Sequence, residues 1–302
     1  KQGVPMRKSL LPVLATALPM AAQAQVAIDT VLVNNPGNYP RGSGALGRNC
    51  GSNGSGEGRL CGAVDYVYEI GTFEVTAAQY VAFLNSVART DTHGLYNTGM
   101  SGTTFGAGVV RSGAAGSYTY SVGPDWSERP IGFIAWADAL RFANWMHNGQ
   151  PTGVQDSTTT EDGSYTLNGA MTNPLLQNIV RNPGATWVLP NEDEWFKAAY
   201  HKANGPSGSY SDFATGSDDM GGFPVCHRPS KLLQLPDPGD HANWSTILAG
   251  DWTIGPPFWK TPVGTFANSA SAYGTFDQSG NIGEWTESRI ALTIVPSQRV
   301  IR

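Results

Sequence analysis

A strand that leads directly into a capped helix is encoded by residues 68–84, which read YEIGTFEVTAAQYVAFL. Apolar and polar side chains alternate up to the middle of this stretch, which is typical of a half-buried strand. Thr76 and Gln79 then have the spacing of a capping box, and apolar residues follow at helical spacing. We therefore predict a strand over 64–70 and a helix over 77–88.

Two further helices are predicted downstream from the same kinds of signal. Residues 135–147 place apolar side chains on one face of a helix, and Gly149 ends it. A third, shorter helix begins at Asn191, where Glu194 completes an Asn-x-x-Glu cap. It ends near His201.

The composition predicts an irregular fold around these helices. Among 302 residues there are 37 Gly and 20 Pro, and only 14% are charged, which disfavours long helices and coiled coils. Nine Trp residues argue against disorder. With a strand over 26–33 and loops with short hairpins over 93–125, we expect one loop-rich α+β domain.

The N-terminal residues have the pattern of a secretory signal peptide. A basic start at Met6 precedes a short apolar run and small residues that end at Ala24. We expect cleavage after Ala24 and export to the periplasm, the cell surface or the medium. The chain then divides into residues 1–24, with 1–5 upstream of the start; 25–63, a strand and a Gly/Ser-rich insertion; and 64–302, the main domain.

Two classes of partner are excluded by hydropathy and charge. The apolar run of the signal is too short to cross a bilayer and no other segment qualifies, so we expect no membrane span. The formal net charge is −5 and contains no basic block, which makes nucleic acid a poor partner.

The three cysteines suggest one disulfide. Cys50 and Cys61 bracket a Gly/Ser-rich segment that has almost nothing apolar to hold it, and export would permit a bond between them. Metal ligation by this pair is the weaker alternative, because their spacing fits no common site. Cys226 is then left unpaired beside His227, and we expect a stray thiol on a surface loop there.

Four phrases occur in order along the chain: residues 68–76 (YEIGTFEVT), 129–131 (RPI), 189–195 (LPNEDEW) and 280–285 (GNIGEW). Together they resemble the formylglycine-generating enzyme, or sulfatase-modifying factor, family. The resemblance spans about 65–285 and implies an elaborated C-type-lectin-like fold. It also extends to exported relatives that lack catalytic cysteines.

Glu74 and Glu194 are the acids within these phrases that could suggest catalysis. Capping and surface hydrogen bonds explain both of them better than acid/base chemistry does. We therefore assign no catalytic residue to this chain.

A loop over 277–284 carries oxygen ligands suited to calcium. On the residues alone, a calcium site and a purely structural turn are both open. The family resemblance favours calcium, and it implies the Asp277 and Glu284 side chains with the Gly280 and Ile282 carbonyls. The family commonly has tryptophan where this chain has Gly283.

A second calcium site and a copper site are also implied by the resemblance. The second calcium site would use the Asn243 side chain and the Trp244 carbonyl, with Asp251 to complete it. Active members hold copper(I) with two thiolates downstream of the fourth phrase, and no cysteine occurs over 286–302. Residues 299–302 (RVIR) resemble the opening of the family's next phrase, so we expect the domain to continue beyond this sequence.

Two functions remain open from the sequence. The complete protein would oxidise a peptidyl cysteine to formylglycine, acting on a protein or peptide substrate. Alternatively, it is a non-catalytic exported module that binds peptide, a surface glycan or the cell surface. Fold alone does not choose between them.

Overall fold

A computed structural model describes residues 25–41, 60–102, 105–206, 209–218, 230, 232–233, 235–246, 251–290 and 298–302. Helices and strands occur in this order: β1 (Thr30–Val33), β2 (Tyr68–Gly71), α1 (Ala77–Val87), a 3₁₀ turn (Thr98–Ser101), β3 (Val109–Ser112), β4 (Thr119–Val122), α2 (Pro124–Ser127), α3 (Trp136–His147), α4 (Asn173–Leu176), α5 (Glu192–Tyr200), β5 (Ser245–Thr246), β6 (Asp251–Trp252), β7 (Trp285–Ile290) and β8 (Gln298–Ile301). Short elements in long loops confirm the α+β, loop-rich prediction.

The three longest helices lie where the sequence predicted them, two from their caps and α3 from its apolar face. The Thr76 hydroxyl accepts from the Gln79 N–H and the Gln79 side chain accepts from the Thr76 N–H, so a reciprocal box opens α1. Asn191 and Glu194 form the same box at α5. Helix α3 starts at Trp136, one residue after its predicted start, and ends at His147 as predicted. Local signals were sufficient here because each cap joins residues three apart.

The strands pair as antiparallel ribbons. β1 pairs with β2, with Thr30 opposite Gly71, so the segment before the Gly/Ser-rich insertion joins the main domain. β3 pairs with β4 as a hairpin inside the region predicted to hold short hairpins. β7 pairs with β8, and Trp285 lies opposite Ile301. Both strands near the N-terminus are shorter than the sequence predicted.

Helix α3 separates two apolar clusters. Trp145 packs with Phe83 and Leu84 of α1 in the larger cluster. Trp136 and Leu140 pack with other buried residues in the second. The amphipathic pattern of the sequence described one face, whereas the helix is apolar on two faces because it lies between two cores.

The predicted disulfide stays a prediction. Cys61 is buried against Phe196 and Tyr210, but Cys50 lies outside the described residues. Cys226 and His227 lie outside them as well. Within the described residues, no helix is long and apolar enough to cross a membrane.

Candidate functional site

The four sequence phrases converge on one cavity of about 260 Å³. The first phrase lies on β2 and its extension, the second crosses the start of α1, the third leads into α5, and the fourth leads into β7. Apolar side chains dominate the walls, and α3 closes one side. The lining from the four phrases and from α3 comprises Ile70, Gly71, Phe73, Glu74, Val75, Ile131, Leu189, Pro190, Ile282, Gly283, Glu284, Trp285, Ala139, Phe142, Ala143 and Met146.

Backbone hydrogen bonds hold the first two phrases together. The Ala77 N–H donates to the Arg129 carbonyl at 2.9 Å, and the Ile131 N–H donates to the Val75 carbonyl at 3.0 Å. Residues 129–131 therefore run alongside the entry to α1 as a short ladder. This places Ile131 on the cavity wall beside Val75.

Two indole groups tie α3 to β7. The Trp285 Nε1–H donates to the Ile134 carbonyl at 2.8 Å, and the Trp136 Nε1–H donates to the Thr286 carbonyl at 3.1 Å. Each tryptophan thus bonds the backbone next to the other one. These two hydrogen bonds together hold the fourth phrase against α3.

Gly283 lies where β8 passes closest to the fourth phrase. A Cβ at this position would lie 2.8 Å from the side-chain atom Ile301 Cγ2, so a larger residue here requires the Ile301 side chain to shift. The Glu284 N–H donates to the Arg302 carbonyl and the Arg302 N–H donates back at 2.9 Å. These two bonds hold β8 beside the fourth phrase.

Glu284 is a buried carboxylate at the edge of the cavity. Its Oε2 accepts from Trp195 Nε1–H at 2.9 Å. Burial raises the pKa of Glu284 to about 7, and the nearby charge of Asp277 adds to this, while the Trp195 bond offsets part of it. This carboxyl group therefore holds a proton to higher pH than an exposed glutamate does.

Asp277 faces the same region from the start of the loop. Its Oδ2 accepts from the Gly264 N–H at 2.7 Å. Burial raises the pKa of Asp277 to about 6, although the Gly264 bond acts in the other direction. Its backbone is left-handed, with φ +62°, which turns the chain sharply into the Gly280 loop.

The environment of Glu74 contradicts the capping and surface role that the sequence predicted for it. Its carboxylate is buried, and neither oxygen has a hydrogen-bond partner among the described residues. Burial raises its pKa well above the usual range, and the charges of Asp277 and Glu284 raise it further, while its own backbone N–H and the Asn281 amide offset part of the effect. Gln79, not Glu74, completes the α1 cap, so capping and surface hydrogen bonds do not account for Glu74.

The predicted calcium loop supplies suitable donor atoms. Asp277 and Glu284 bring two buried carboxylates, which are hard oxygen ligands of the type that calcium prefers. The Gly280 carbonyl already accepts from the Ile282 N–H at 2.7 Å. No cluster of three His, Cys, Asp or Glu residues able to hold a metal occurs among the described residues. The two carboxylates suit calcium by their chemistry, and an ion at this loop stays a prediction.

The second predicted calcium segment lies directly against the first. The Asn243 Nδ2 group donates to Asn281 Oδ1 at 2.9 Å, and the Asn243 carbonyl accepts from the Asn281 N–H at 2.7 Å. The Trp244 carbonyl accepts from the Thr253 N–H. Because these groups already bond to protein, the segment buttresses the Gly280 loop, and a second ion there stays a prediction.

The sequence interpretation missed an ionic network around Arg181. Arg181 donates to both carboxylate oxygens of Glu194, at 2.9 and 2.6 Å, and bonds Glu287 at 2.8 Å. Burial alone would raise the pKa of Glu194, but the bonds and charge of Arg181, helped by Tyr66, lower it. The capping role predicted for Glu194 is confirmed, yet the residue is buried and not at the surface. No local signal joins residues so far apart.

Comparison with known proteins gives one family. The model described as "Sulfatase-modifying factor enzyme 1-like domain" matches residues 19–302. Among solved structures, one titled "Crystal Structure of CarF" is similar at a TM-score of 0.46 and 19% sequence identity, over 88% of this chain and 83% of that chain. No curated protein matches the chain.

Proposed function

The chain belongs to the sulfatase-modifying factor enzyme 1-like domain family, and on this premise we propose that it binds an extended polypeptide segment in the cavity described above. The observation that carries the proposal is the convergence of four distant phrases on that one cavity. A concave, mostly apolar site with a few polar groups is the usual form of a ligand site. The expected occupant is an apolar side chain of the bound segment.

The residues of this chain would bind and orient that segment. Phe142 and Met146 of α3 line the cavity together with Ile282 and Trp285, and their apolar surfaces would exclude water from a bound side chain. The two indole hydrogen bonds hold α3 against the start of β7. Binding of this kind serves an enzyme and a non-catalytic module equally.

Oxidation of a peptidyl cysteine to formylglycine is the finer proposal, and it rests on family membership. The copper(I) ion of such enzymes supplies oxygen activation and needs two thiolates. Within the described part of the chain, Cys61 is the single cysteine, and it is buried in an apolar cluster away from the cavity. These residues do not fit a copper site, so we derive no step through copper.

A structural calcium ion is the third element of the proposal. Asp277 and Glu284 would hold it with the carbonyls of Gly280 and Ile282, and the ion would neutralise two carboxylates whose burial is otherwise unfavourable. Export of the protein, as its N-terminus predicts, would expose it to the high calcium concentrations outside the cytoplasm.

Peptide selection tests the binding proposal. The full chain would be used to select from a displayed library of random 15-residue peptides, beside an Ala139→Trp variant that fills the cavity. We expect enriched peptides to share an apolar residue and to lose about tenfold in affinity with the variant. Equal enrichment by the two proteins, or no enrichment by either, would reject the cavity as the site.

An aldehyde assay separates the enzyme from the binding module. Selected peptides that carry cysteine would be incubated with the full chain, copper(I) and oxygen, and a hydrazide probe would trap any aldehyde formed. A trapped aldehyde supports cysteine oxidation. Peptide binding without aldehyde supports the non-catalytic alternative and leaves the cavity assignment intact.

A further inference from the structure

Three aromatic rings lie in mutual contact on the surface beside the cavity. The centroids of Phe105 and Trp259 are 5.0 Å apart, those of Trp252 and Trp259 are 4.9 Å apart, and those of Phe105 and Trp252 are 5.8 Å apart. Phe105 is 48% exposed and Trp252 is 37% exposed. We call these three residues the aromatic platform. Large exposed apolar groups held together in this way mark interaction sites.

The backbone of the platform is unusual for such bulky residues. Phe105 has φ +59° and Trp259 has φ +62°, and the exposed Phe133 nearby has φ +60°. An added Cβ at Gly132, the residue before Phe133, would lie 3.3 Å from the Phe105 carbonyl oxygen and 3.3 Å from Lys260 Nζ. Left-handed backbone at bulky residues is strained, and such strain clusters at binding sites. Here it accompanies rings that are presented to solvent.

Hydrogen bonds and a cation–π contact fix the backbone beneath the aromatic platform. The Arg129 guanidinium lies 3.8 Å from the centroid of the Phe258 ring and donates to the Asp125 and Lys260 carbonyls. Lys260 Nζ is directed inward and donates to the Pro130 carbonyl at 2.6 Å. The turn that carries Trp259 is therefore fixed from below, and both nearby cations are engaged beneath the rings.

Charged residues are sparse around the platform. Residues 97–108, 130–135 and 252–259 include no Asp, Glu, Lys or Arg, while Arg129, Asp251 and Lys260 border these segments. The polar groups next to Phe133 are an amide and hydroxyls, on the exposed residues Asn97, Thr98 and Ser101. The Arg129 and Lys260 cations bond to carbonyls beneath the rings, so neither is available to an anionic ligand at the surface.

We propose that the aromatic platform binds a neutral saccharide. The C–H groups on one face of a pyranose form a flat apolar surface that stacks on aromatic rings, while its hydroxyls suit amide and hydroxyl partners at the rim. A proline-rich peptide is less suitable, because it docks into grooves between aromatic side chains and the contacting rings leave none. This inference goes beyond the polypeptide proposal and concerns a different surface.

The test measures oligosaccharide binding by the full chain. Hexasaccharides of cellulose, xylan, mannan, amylose and chitin would each be titrated to about 10 mM, a range that covers millimolar affinity, with tryptophan fluorescence and calorimetry as readouts. At least one is expected to bind. Trp252→Ala should weaken that binding about tenfold, as expected for a central contact residue.

A second variant and two controls keep the result interpretable. Phe105→Gly removes a ring and relieves the left-handed backbone, so it should lose binding without loss of thermal stability. Tyr39→Ala removes an aromatic side chain that is 69% exposed elsewhere and should leave binding unchanged. Ala139→Trp, which fills the cavity, should also leave it unchanged. The proposal is wrong if no hexasaccharide binds, if binding survives in both platform variants, or if deca-proline binds in place of every saccharide.

Discussion

Two groups of buried carboxylates in this molecule differ in how their charge is compensated. Glu194 lies against Arg181, and its pKa is lowered. Glu287, the other partner of Arg181, keeps a raised pKa because burial outweighs the effect of that cation. Glu74, Asp277 and Glu284 lie in or beside the cavity, and their pKa values are all raised. Arg181 therefore offsets the effect of burial in the first group, fully at Glu194 and partly at Glu287.

The chain does provide a cation near the second group, but it is engaged elsewhere. Lys260 Nζ donates to the Pro130 carbonyl, and burial lowers its pKa to about 8 although Glu74 pulls in the other direction. Glu74 therefore remains without a hydrogen-bond partner in the described part of the chain. Protonation or a bound cation would each remove the unfavourable buried charge of these carboxylates.

Removing Arg181 should have the largest effect on stability. It would leave the carboxylates of the first group without a cation, as those of the second group are. We expect Arg181→Ala to lower the free energy of unfolding by about 3 kcal/mol, since it leaves Glu194 buried and uncompensated. Urea unfolding would measure this. Arg289→Ala, at an exposed arginine on β7, is the matched control. Similar losses in the two variants would mean that the ionic network contributes little.

A bound calcium ion should compensate the negative charge of the second group, as Arg181 compensates that of Glu194 in the first. At a free concentration 100 times its dissociation constant, a bound ion adds about 2.7 kcal/mol to stability. We expect calcium to raise the melting temperature of the wild type and chelator to reverse it, with no response in Asp277→Asn. Asp125→Asn, at an exposed aspartate, should respond like wild type. A response retained in Asp277→Asn would refute the assignment.

Neutralising one carboxylate in each group should give effects of opposite sign. In chelator, Glu74→Gln replaces a carboxyl group whose charged form is penalised by burial, and it should gain about 1–2 kcal/mol. Glu194→Gln removes half of an ion pair and should lose stability. Chemical denaturation of both variants at neutral pH is the measurement. Two changes of the same sign would show that the groups do not differ as described.

A further buried carboxylate, Asp138, tests through pH how burial affects stability. Burial raises the pKa of Asp138 in α3 to about 7, so the folded state keeps a proton that the unfolded state releases near pH 4. Stability from this group therefore falls as pH rises from about 4 to 7. Asp138→Asn should flatten the melting temperature between pH 5 and 8 by about 2 °C. Parallel profiles for variant and wild type would contradict this.

The sequence predicted those parts of the fold that depend on neighbours along the chain. The caps of α1 and α5 could be found because each joins residues three apart. Glu74 was misassigned because its surroundings come from residues about 200 positions away, and no periodicity reports a contact of that range. Arg181 gave no signal for the same reason. The resemblance identified the loop at Asp277, but not that Asn243 buttresses it.

Residues 105, 133 and 259 hold aromatic side chains on backbone that glycine or asparagine would adopt more readily. Each costs about 1–2 kcal/mol relative to an unstrained residue. Substitutions that stabilise a protein without harming its function accumulate easily. In a lineage that had stopped using these rings, drift should carry the three positions toward Gly or Asn. Retention of aromatic residues at all three positions among homologues would therefore be a sign of selection on that surface.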